Sequence, residues 1–300
     1  MTTPNILKKS ADFEVVSLKR NPTSPRTLFG LIMSGIAGLF TLLAIIPLFI
    51  ILTYLLTRGI SSLSASVFTE LPPPPLVDGG GFGNAIVGTV IIVGIGGLLS
   101  VPLGIMAAIY LSEFREGKAS EWISFATNVL SGVPSIIVGV FAYGAIVLTT
   151  KSYSAWAGGF ALAILMLPII VRTTDESLKL VPQDVRQASV GIGANRYQTV
   201  LQVVLPAALP AIITGITLAV ARAAGETAPL LFTALFTQYW PNWDNLLVEP
   251  TASLAVLVYN FAIVPFKNQQ ELAWGAAFIL VLLVLFTSIV SRLATAKRTY

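Results

Sequence analysis

Residues 172–206 read RTTDESLKLVPQDVRQASVGIGANRYQTVLQVVLP, and this segment between two apolar runs is too regular for an ordinary loop. Pro182 suits the first turn of a helix because its missing N–H is not needed there. Residues 183–190 are good helix formers, and Gly191 and Gly193 can end the helix that they form. The segment therefore predicts a first short helix that stops at a glycine corner.

A second helix is predicted to follow this corner. Asn195 has the short polar side chain that caps helix N-termini, and Leu205-Pro206 marks the expected end of the helix. Two short helices that meet at a tight corner form a rigid knob. We therefore predict that residues 182–206 are a structured surface element.

The composition places this knob on a membrane protein. Of the 300 residues, 55% are hydrophobic and only 11% are charged, whereas soluble proteins carry about 25% charged residues. Lipid must supply the exterior of such a chain, because a soluble globule needs a polar surface. The chain has no cysteine and no histidine, which excludes disulfides, thiolate metal sites and the commonest general base. We predict an all-α integral membrane protein without a metal site.

Apolar runs long enough to cross a bilayer, which takes roughly 20 residues, occur about six times. A further run, 250–266, is shorter and is interrupted by Pro265. We expect it to form a short or re-entrant segment on the outer side, and a seventh span is the alternative. The six predicted spans cover residues 27–57, 79–112, 122–150, 152–171, 207–235 and 272–291.

The distribution of basic residues predicts the orientation of the spans. With six spans, both termini and the knob lie on one side, and that side carries fourteen Lys and Arg residues. The opposite side carries three, namely Arg58, Lys151 and Lys267. Because basic loops stay in the cytoplasm, we expect cytoplasmic N- and C-termini. Residues 1–27 are then a cytoplasmic N-terminal segment and residues 28–300 a transmembrane domain.

Two charged residues lie within the predicted fifth span, where charge is costly and usually functional. Arg222 and Glu226 are four residues apart, so we expect them to share one helix face and to pair. A paired arginine suits an oxyanion path, since its planar guanidinium can exchange a carboxylate for phosphate oxygens. The carboxylate would also keep the anion from being trapped. A structural ion pair that holds two helices in register is the alternative, and the residues alone leave both open.

The third predicted span contains helix-breaking residues, Gly132, Pro134 and Ser135. One interpretation is a helix kink with close packing. The other is that this broken helix lines a path and offers backbone or hydroxyl donors to an anion.

The segment 172–206 resembles the EAA loop of binding-protein-dependent ATP-binding-cassette (ABC) importer permeases, which docks into a groove on the ATPase subunit. Gln187 stands where the family name implies glutamate. The matching positions are Gln187-Ala188-Ser189, Gly193, Val203 and Leu205-Pro206. A basic loop that lies on anionic lipid is the alternative.

The segment RAAGETAPLLFTA, residues 222–234, resembles the signature of the phosphate importer permeases PstA and PstC. Two other segments show the same resemblance. They are SGVPSI at residues 131–136 and a segment with LP at 167–168 and RTTDESL at 172–178. The RTTDESLK run and the short loop after the first span are more similar to PstA. The resemblance covers residue 79 to the C-terminus. It implies the type I ABC importer permease (MetI-like) fold in a bacterial inner membrane.

The resemblance also implies partners. It predicts a homologous PstC-like permease, a PstB-like ABC ATPase dimer and an extracytoplasmic PstS-like phosphate-binding protein, with membrane lipid around the chain and no nucleic acid. No Walker-type motif is present, so we expect no cofactor here, with ATP and Mg²⁺ on the partner ATPase, and no enzymatic activity in this chain. The residues expected to couple to the ATPase are Asp184, Arg186, Gln187, Ala188, Ser189, Gly191, Gly193, Asn195, Arg196, Leu205 and Pro206.

The alternatives differ in substrate or in energy source. Sulfate, molybdate or phosphonate are oxyanions that the same kind of permease could carry. An ion-coupled secondary transporter would need coupling-ion ligands near the membrane midplane, and the spans hold no acidic residue besides Glu226.

Overall fold

The computed structural model describes residues 24–115, 117–245 and 248–296, and within these ranges every regular element is helical. The chain divides into two compact units, one ending at Thr53 and one beginning at Tyr54. The helices are α1 (Pro25–Ser61), α2 (Ser66–Thr69), α3 (Gly83–Glu113), α4 (Lys118–Gly132), α5 (Ser135–Ala142), α6 (Leu148–Thr150), α7 (Ala155–Lys179), α8 (Gln183–Gly191), α9 (Arg196–Thr199), α10 (Leu205–Ala224), α11 (Ala228–Thr233), α12 (Leu254–Ala262) and α13 (Lys267–Ala296), with π-helical turns at Tyr143–Val147 and Val200–Val204.

In its described part, the first unit is the N-terminal portion of α1. This helix has 37 residues with a mean hydropathy of 2.6 in its most apolar window, so it is more than long enough to cross a hydrocarbon core of about 30 Å. It begins at Pro25, before the predicted boundary at residue 28, because proline suits the first helical position and the Ser24 hydroxyl accepts the Thr27 N–H at 3.2 Å. The rest of the predicted N-terminal segment, residues 1–23, lies outside the described residues.

The second unit is built around α3 and α7, which pack closely along their length. A Cβ at Gly104 would lie 2.7 Å from the Ile170 side chain, and one at Gly159 would lie 2.4 Å from that of Ile95. Small residues at these positions let the two helices approach, as in membrane proteins generally. Helix α10 packs on the same core through its buried alanines.

The third predicted span is a bent pair of helices. Helix α4 ends at Gly132, α5 begins at Ser135, and the two segments are bent by 107°. Pro134 cannot donate a backbone hydrogen bond and forces Val133 into an extended conformation (φ −74°, ψ 127°). Within the described residues, five helices are long and apolar enough to span, or six if this pair counts as one span. The prediction of about six spans is confirmed, but its third member is broken.

The fifth span lies further toward the N-terminus than predicted. It runs from Arg196 to Ala224, where the sequence had indicated 207–235, and Gly225 separates it from the short helix α11. The predicted helix end at Leu205-Pro206 is wrong as well. The π-helical turn Val200–Val204 shifts the backbone hydrogen bonds just before Pro206, so the helix continues through the proline.

The run 250–266 contains one short helix, α12. Its nine residues span about 14 Å at 1.5 Å per residue, too short to cross a bilayer. Leu254 and Leu257 are fully buried, and the Leu254 N–H donates to the Thr89 hydroxyl of α3 at 2.8 Å. The short-segment prediction is confirmed, and the alternative of a seventh span is wrong.

Candidate coupling surface and translocation path

The corner between α8 and the fifth span has the predicted glycine geometry. Helix α8 ends at Gly191, and Gly193 adopts φ +91°, a left-handed conformation that glycine takes without steric cost. The turn is closed by the Gly193 N–H, which donates to the Val190 carbonyl at 2.9 Å, and by the Ala194 N–H, which donates to the Ser189 carbonyl at 3.2 Å. The chain therefore turns from α8 to α9 over the four residues 192–195.

A capping box begins the helix after this corner. The Asn195 side chain accepts the Gln198 N–H at 2.9 Å, and the Gln198 side chain accepts the Asn195 N–H at 2.9 Å. The predicted N-cap is confirmed. The buried hydroxyls of Ser189 and Thr199 are 3.0 Å apart and join the two helices of the corner. These polar contacts make the corner rigid.

An ion pair ties the corner to α3. Arg186 Nη1 lies 2.5 Å from Glu113 Oε2, and the two side chains are only 15% and 10% exposed. Arg186 Nη2 also donates to the Leu178 carbonyl of α7 at 2.7 Å. Arg186, predicted to couple to an ATPase, therefore faces α3 and α7 in the interior of the protein. Sequence reasoning had given Glu113 no role, because its partner is 73 residues away.

A second arginine reinforces this junction. Arg196 donates to the Glu113 carbonyl oxygen, and its guanidinium lies 4.8 Å from the centroid of the Phe114 ring. Phe114 stacks on Tyr197 with centroids 5.1 Å apart. The end of α3 is thus held by both helices of the corner.

The outer face of the corner combines exposed polar and apolar side chains. Of the predicted coupling residues, Ser189 is buried, whereas Leu205 and Pro206 lie away from the corner within the continuous fifth span. Ile192, at the tip, is 88% exposed. A patch of this kind can bind a complementary protein groove. The exposed residues are Gln183, Asp184, Val185, Gln187, Ala188, Val190, Gly191, Ile192, Gly193, Asn195, Arg196, Tyr197 and Gln198.

Arg222 and Glu226 pair, though not on one helix face as predicted. Arg222 Nε lies 3.6 Å from Glu226 Oε1. Helix α10 ends at Ala224, so Glu226 lies in the connector Gly225–Thr227 that leads to α11. The Glu226 side chain is mostly buried at 16% exposure, while that of Arg222 is 64% exposed. The guanidinium is therefore accessible beside a helix break.

The second broken helix lies next to this connector. A Cβ at Gly139 of α5 would lie 2.6 Å from the Cα of Pro229 in α11, so the two short helices are in close contact. Gly132 is exposed and has open space around it, and Pro134 is exposed as well. Ser135 begins α5 and is half-buried. The short helices α5 and α11, each of which follows a break in a span, are therefore neighbours.

Comparison with known proteins gives consistent results. Residues 100–299 match the family described as "Binding-protein-dependent transport system inner membrane component". The chain is 41% identical to the phosphate transport system permease protein PstA of Yersinia pestis over 81% of this chain and 82% of that protein. It is also 41% identical to PstA of Haemophilus influenzae, over 87% and 92% of the two chains.

A solved structure shares the fold. The inward-facing MetNI methionine ABC transporter matches with a TM-score of 0.59 at 19% identity, over 72% of this chain and 95% of that chain. The predicted MetI-like permease fold is confirmed. The chain belongs to the family of binding-protein-dependent transport system inner membrane components and, within it, to the PstA phosphate transport system permeases.

Proposed function

We propose that this chain is the PstA-type permease of an ATP-driven phosphate importer in a bacterial inner membrane. It forms half of the translocation path. The observation that carries the proposal is the similarity to PstA permeases over about four fifths of the chain. The rigid corner and the accessible Arg222 give this similarity a physical basis, because an importer needs both a contact for its energy source and a group that attracts an anion.

The corner is the proposed contact with an ABC ATPase dimer of the PstB type. Its exposed tip at Ile192 and the polar face around Asp184 and Gln187 would enter a groove on the ATPase. ATP and Mg²⁺ bind to that partner, and ATP hydrolysis takes place there. With the corner in the cytoplasm, both termini lie there too, including the segment 1–27, and residues 28–300 form the permease domain.

Two further partners complete the proposed transporter. A homologous PstC-type permease forms the other half of the path, and a PstS-type binding protein delivers phosphate from outside. Each nucleotide state of the ATPases favours one state of the permease pair, which is how ATP drives the change of access.

The proposed path passes the two helix breaks. Arg222 would exchange Glu226 for phosphate oxygens, because a guanidinium forms two parallel hydrogen bonds with either group. The 3.6 Å distance of the pair, longer than a direct hydrogen bond, suits an exchangeable partner. Gly132, Pro134 and Ser135 line the path at the other break, where the N-terminus of α5 has unpaired N–H groups.

The test is reconstitution of this chain with the three partner types in liposomes. We expect ATP-dependent uptake of phosphate in preference to sulfate, and we expect Arg222→Gln to abolish uptake while the complex still assembles. Arg172→Gln is the matched control, because Arg172 forms an i,i+4 pair with Glu176 at 3.8 Å and is 65% exposed. Uptake that ignores ATP and follows an ion gradient would reject the importer, and preferred uptake of sulfate would reject only the substrate.

A further inference from the structure

A polar cavity of about 720 Å³ lies in the second unit. It is bounded by the last two turns of α1, the linker before α3 and the first turns of α13. Helix α3 begins at Gly83, beside this linker, and ends at Glu113, beside the corner. Its 31 residues span about 46 Å. The cavity and the corner therefore lie at opposite faces of the membrane.

Four charged side chains of mixed sign line the cavity. Arg58 and Lys267 are cationic, and Asp78 and Glu271 are anionic. Among the described residues, none of the four forms an ion pair with another within 4 Å. Two cations and two anions that share one cavity without neutralising each other suit a ligand that carries both charges.

The aromatic side chains indicate the depth of the cavity. Tyr54 and Trp274 meet edge to face with ring centroids 4.9 Å apart, and the Arg58 guanidinium lies 5.5 Å from the Tyr54 centroid. Both rings line the cavity. Tyrosine and tryptophan concentrate at the level of the lipid headgroups, so the cavity is expected to open there.

We propose that the polar cavity binds the headgroup of a zwitterionic phospholipid, of the phosphatidylethanolamine class, in the leaflet opposite the corner. Arg58 and Lys267 hold the phosphate diester. Asp78 and Glu271 receive the ammonium. Inorganic phosphate could bind to the two cations but has no ammonium group for the two carboxylates. The site is therefore distinct from the proposed path at Arg222.

The test uses native mass spectrometry of the assembled, delipidated transporter titrated with two lipids. One is phosphatidylethanolamine, and the other is phosphatidylglycerol, which has the phosphate but no ammonium. We expect phosphatidylethanolamine to bind at least tenfold more tightly. The double variant Arg58→Gln/Lys267→Gln should weaken its binding at least tenfold. The double variant Asp78→Asn/Glu271→Gln should remove the preference and leave phosphatidylglycerol binding unchanged.

The controls separate the lipid from its alternatives. Lys151→Gln removes an exposed cation outside the cavity and should change nothing. Arg58→Lys/Lys267→Arg keeps both charges and should retain binding, which guards against a loss caused by misfolding. Equal affinity for the two lipids in the unmodified transporter would overturn the proposal. Displacement of the lipid by millimolar inorganic phosphate would overturn it too, because free phosphate would then be the occupant.

Discussion

Arg186 of α8 and Glu113 at the end of α3 are joined by a 2.5 Å ion pair that is largely shielded from water. Removal of one charge leaves the other poorly solvated. We expect this to lower the free energy of unfolding by roughly 1–3 kcal/mol, which lies between the values for exposed and buried pairs. We predict that Arg186→Gln loosens the corner from α3 and lowers ATP-dependent phosphate uptake several-fold. Uptake and ATPase activity measured on the same proteoliposomes should show hydrolysis that no longer drives transport.

The exposed pair Arg172–Glu176 provides the control for this variant. Arg172 Nε lies 3.8 Å from Glu176 Oε1, and the two side chains are 65% and 68% exposed. Arg172→Gln should therefore leave transport unchanged. The exchange Glu113→Arg/Arg186→Glu should recover part of the activity. Full activity of Arg186→Gln would mean that the ion pair has no part in coupling.

This pair also marks the limit of what the sequence could predict. The helix 183–191, the glycine corner and the cap at Asn195 follow from local propensity, and the structure has all three. Arg186 was expected to contact the ATPase because the segment that contains it resembles the EAA loop. Its inward position depends on Glu113, and no local pattern links residues 73 positions apart.

The span boundaries failed for a related reason. Hydropathy measures the apolar character of a segment but not the direction of its axis. It therefore predicted residues 122–150 as one span, and only the helix-breaking residues Gly132, Pro134 and Ser135 indicated the kink, which measures 107° in the structure. Pro206 was expected to end a helix, and the π-helical turn Val200–Val204 allows the helix to continue instead. The break after Ala224 was missed because the apolar residues on both sides of the segment 222–227 extend the hydropathy signal.

The left-handed conformation of Gly193 leads to a second prediction. A Cβ at Gly193 would meet no atom within 4 Å, so any cost of substitution is conformational. For an ordinary L-residue this cost is about 1–2 kcal/mol. Gly193→Val should therefore distort the corner and reduce co-purification of the ATPase about five- to thirtyfold, whereas Gly193→Asn should do so less, since asparagine tolerates this conformation.

Gly191 is the matched control for the corner. It also has open space around it, but its backbone is not left-handed. Gly191→Ala should reduce ATPase binding less than Gly193→Val in the same pull-down, because it carries no conformational cost. Equal losses from Gly191→Ala and Gly193→Val would show that the backbone conformation is not the cause.

A third prediction concerns packing between α3 and the segment before α12. A Cβ at Gly88 would lie 1.9 Å from the Ala252 carbonyl oxygen, and a backbone atom cannot move aside as a side chain can. We expect Gly88→Ala to destabilise the protein by roughly 1–3 kcal/mol and to lower its unfolding temperature in detergent by about 4–10 °C. Gly94→Ala, on the same helix, meets no atom within 4 Å and should be neutral or slightly stabilising. Equal unfolding temperatures for the two variants would contradict the close contact.

The last prediction tests the proposed exchange at the helix break. If Glu226 competes with phosphate for Arg222, its loss leaves the guanidinium free to hold the anion more tightly. We expect Glu226→Gln to slow the maximal rate of uptake by up to about tenfold, which corresponds to about 1.4 kcal/mol in the barrier to release. The half-saturating external phosphate concentration should stay the same, because the binding protein sets the loading step. Initial rates over a range of phosphate concentrations separate these quantities, and Glu176→Gln, which breaks the exposed pair with Arg172, is the control. A structural role predicts another result: Glu226→Gln would then lower the unfolding temperature and the amount of assembled complex, while the complexes that remain would transport at the normal rate.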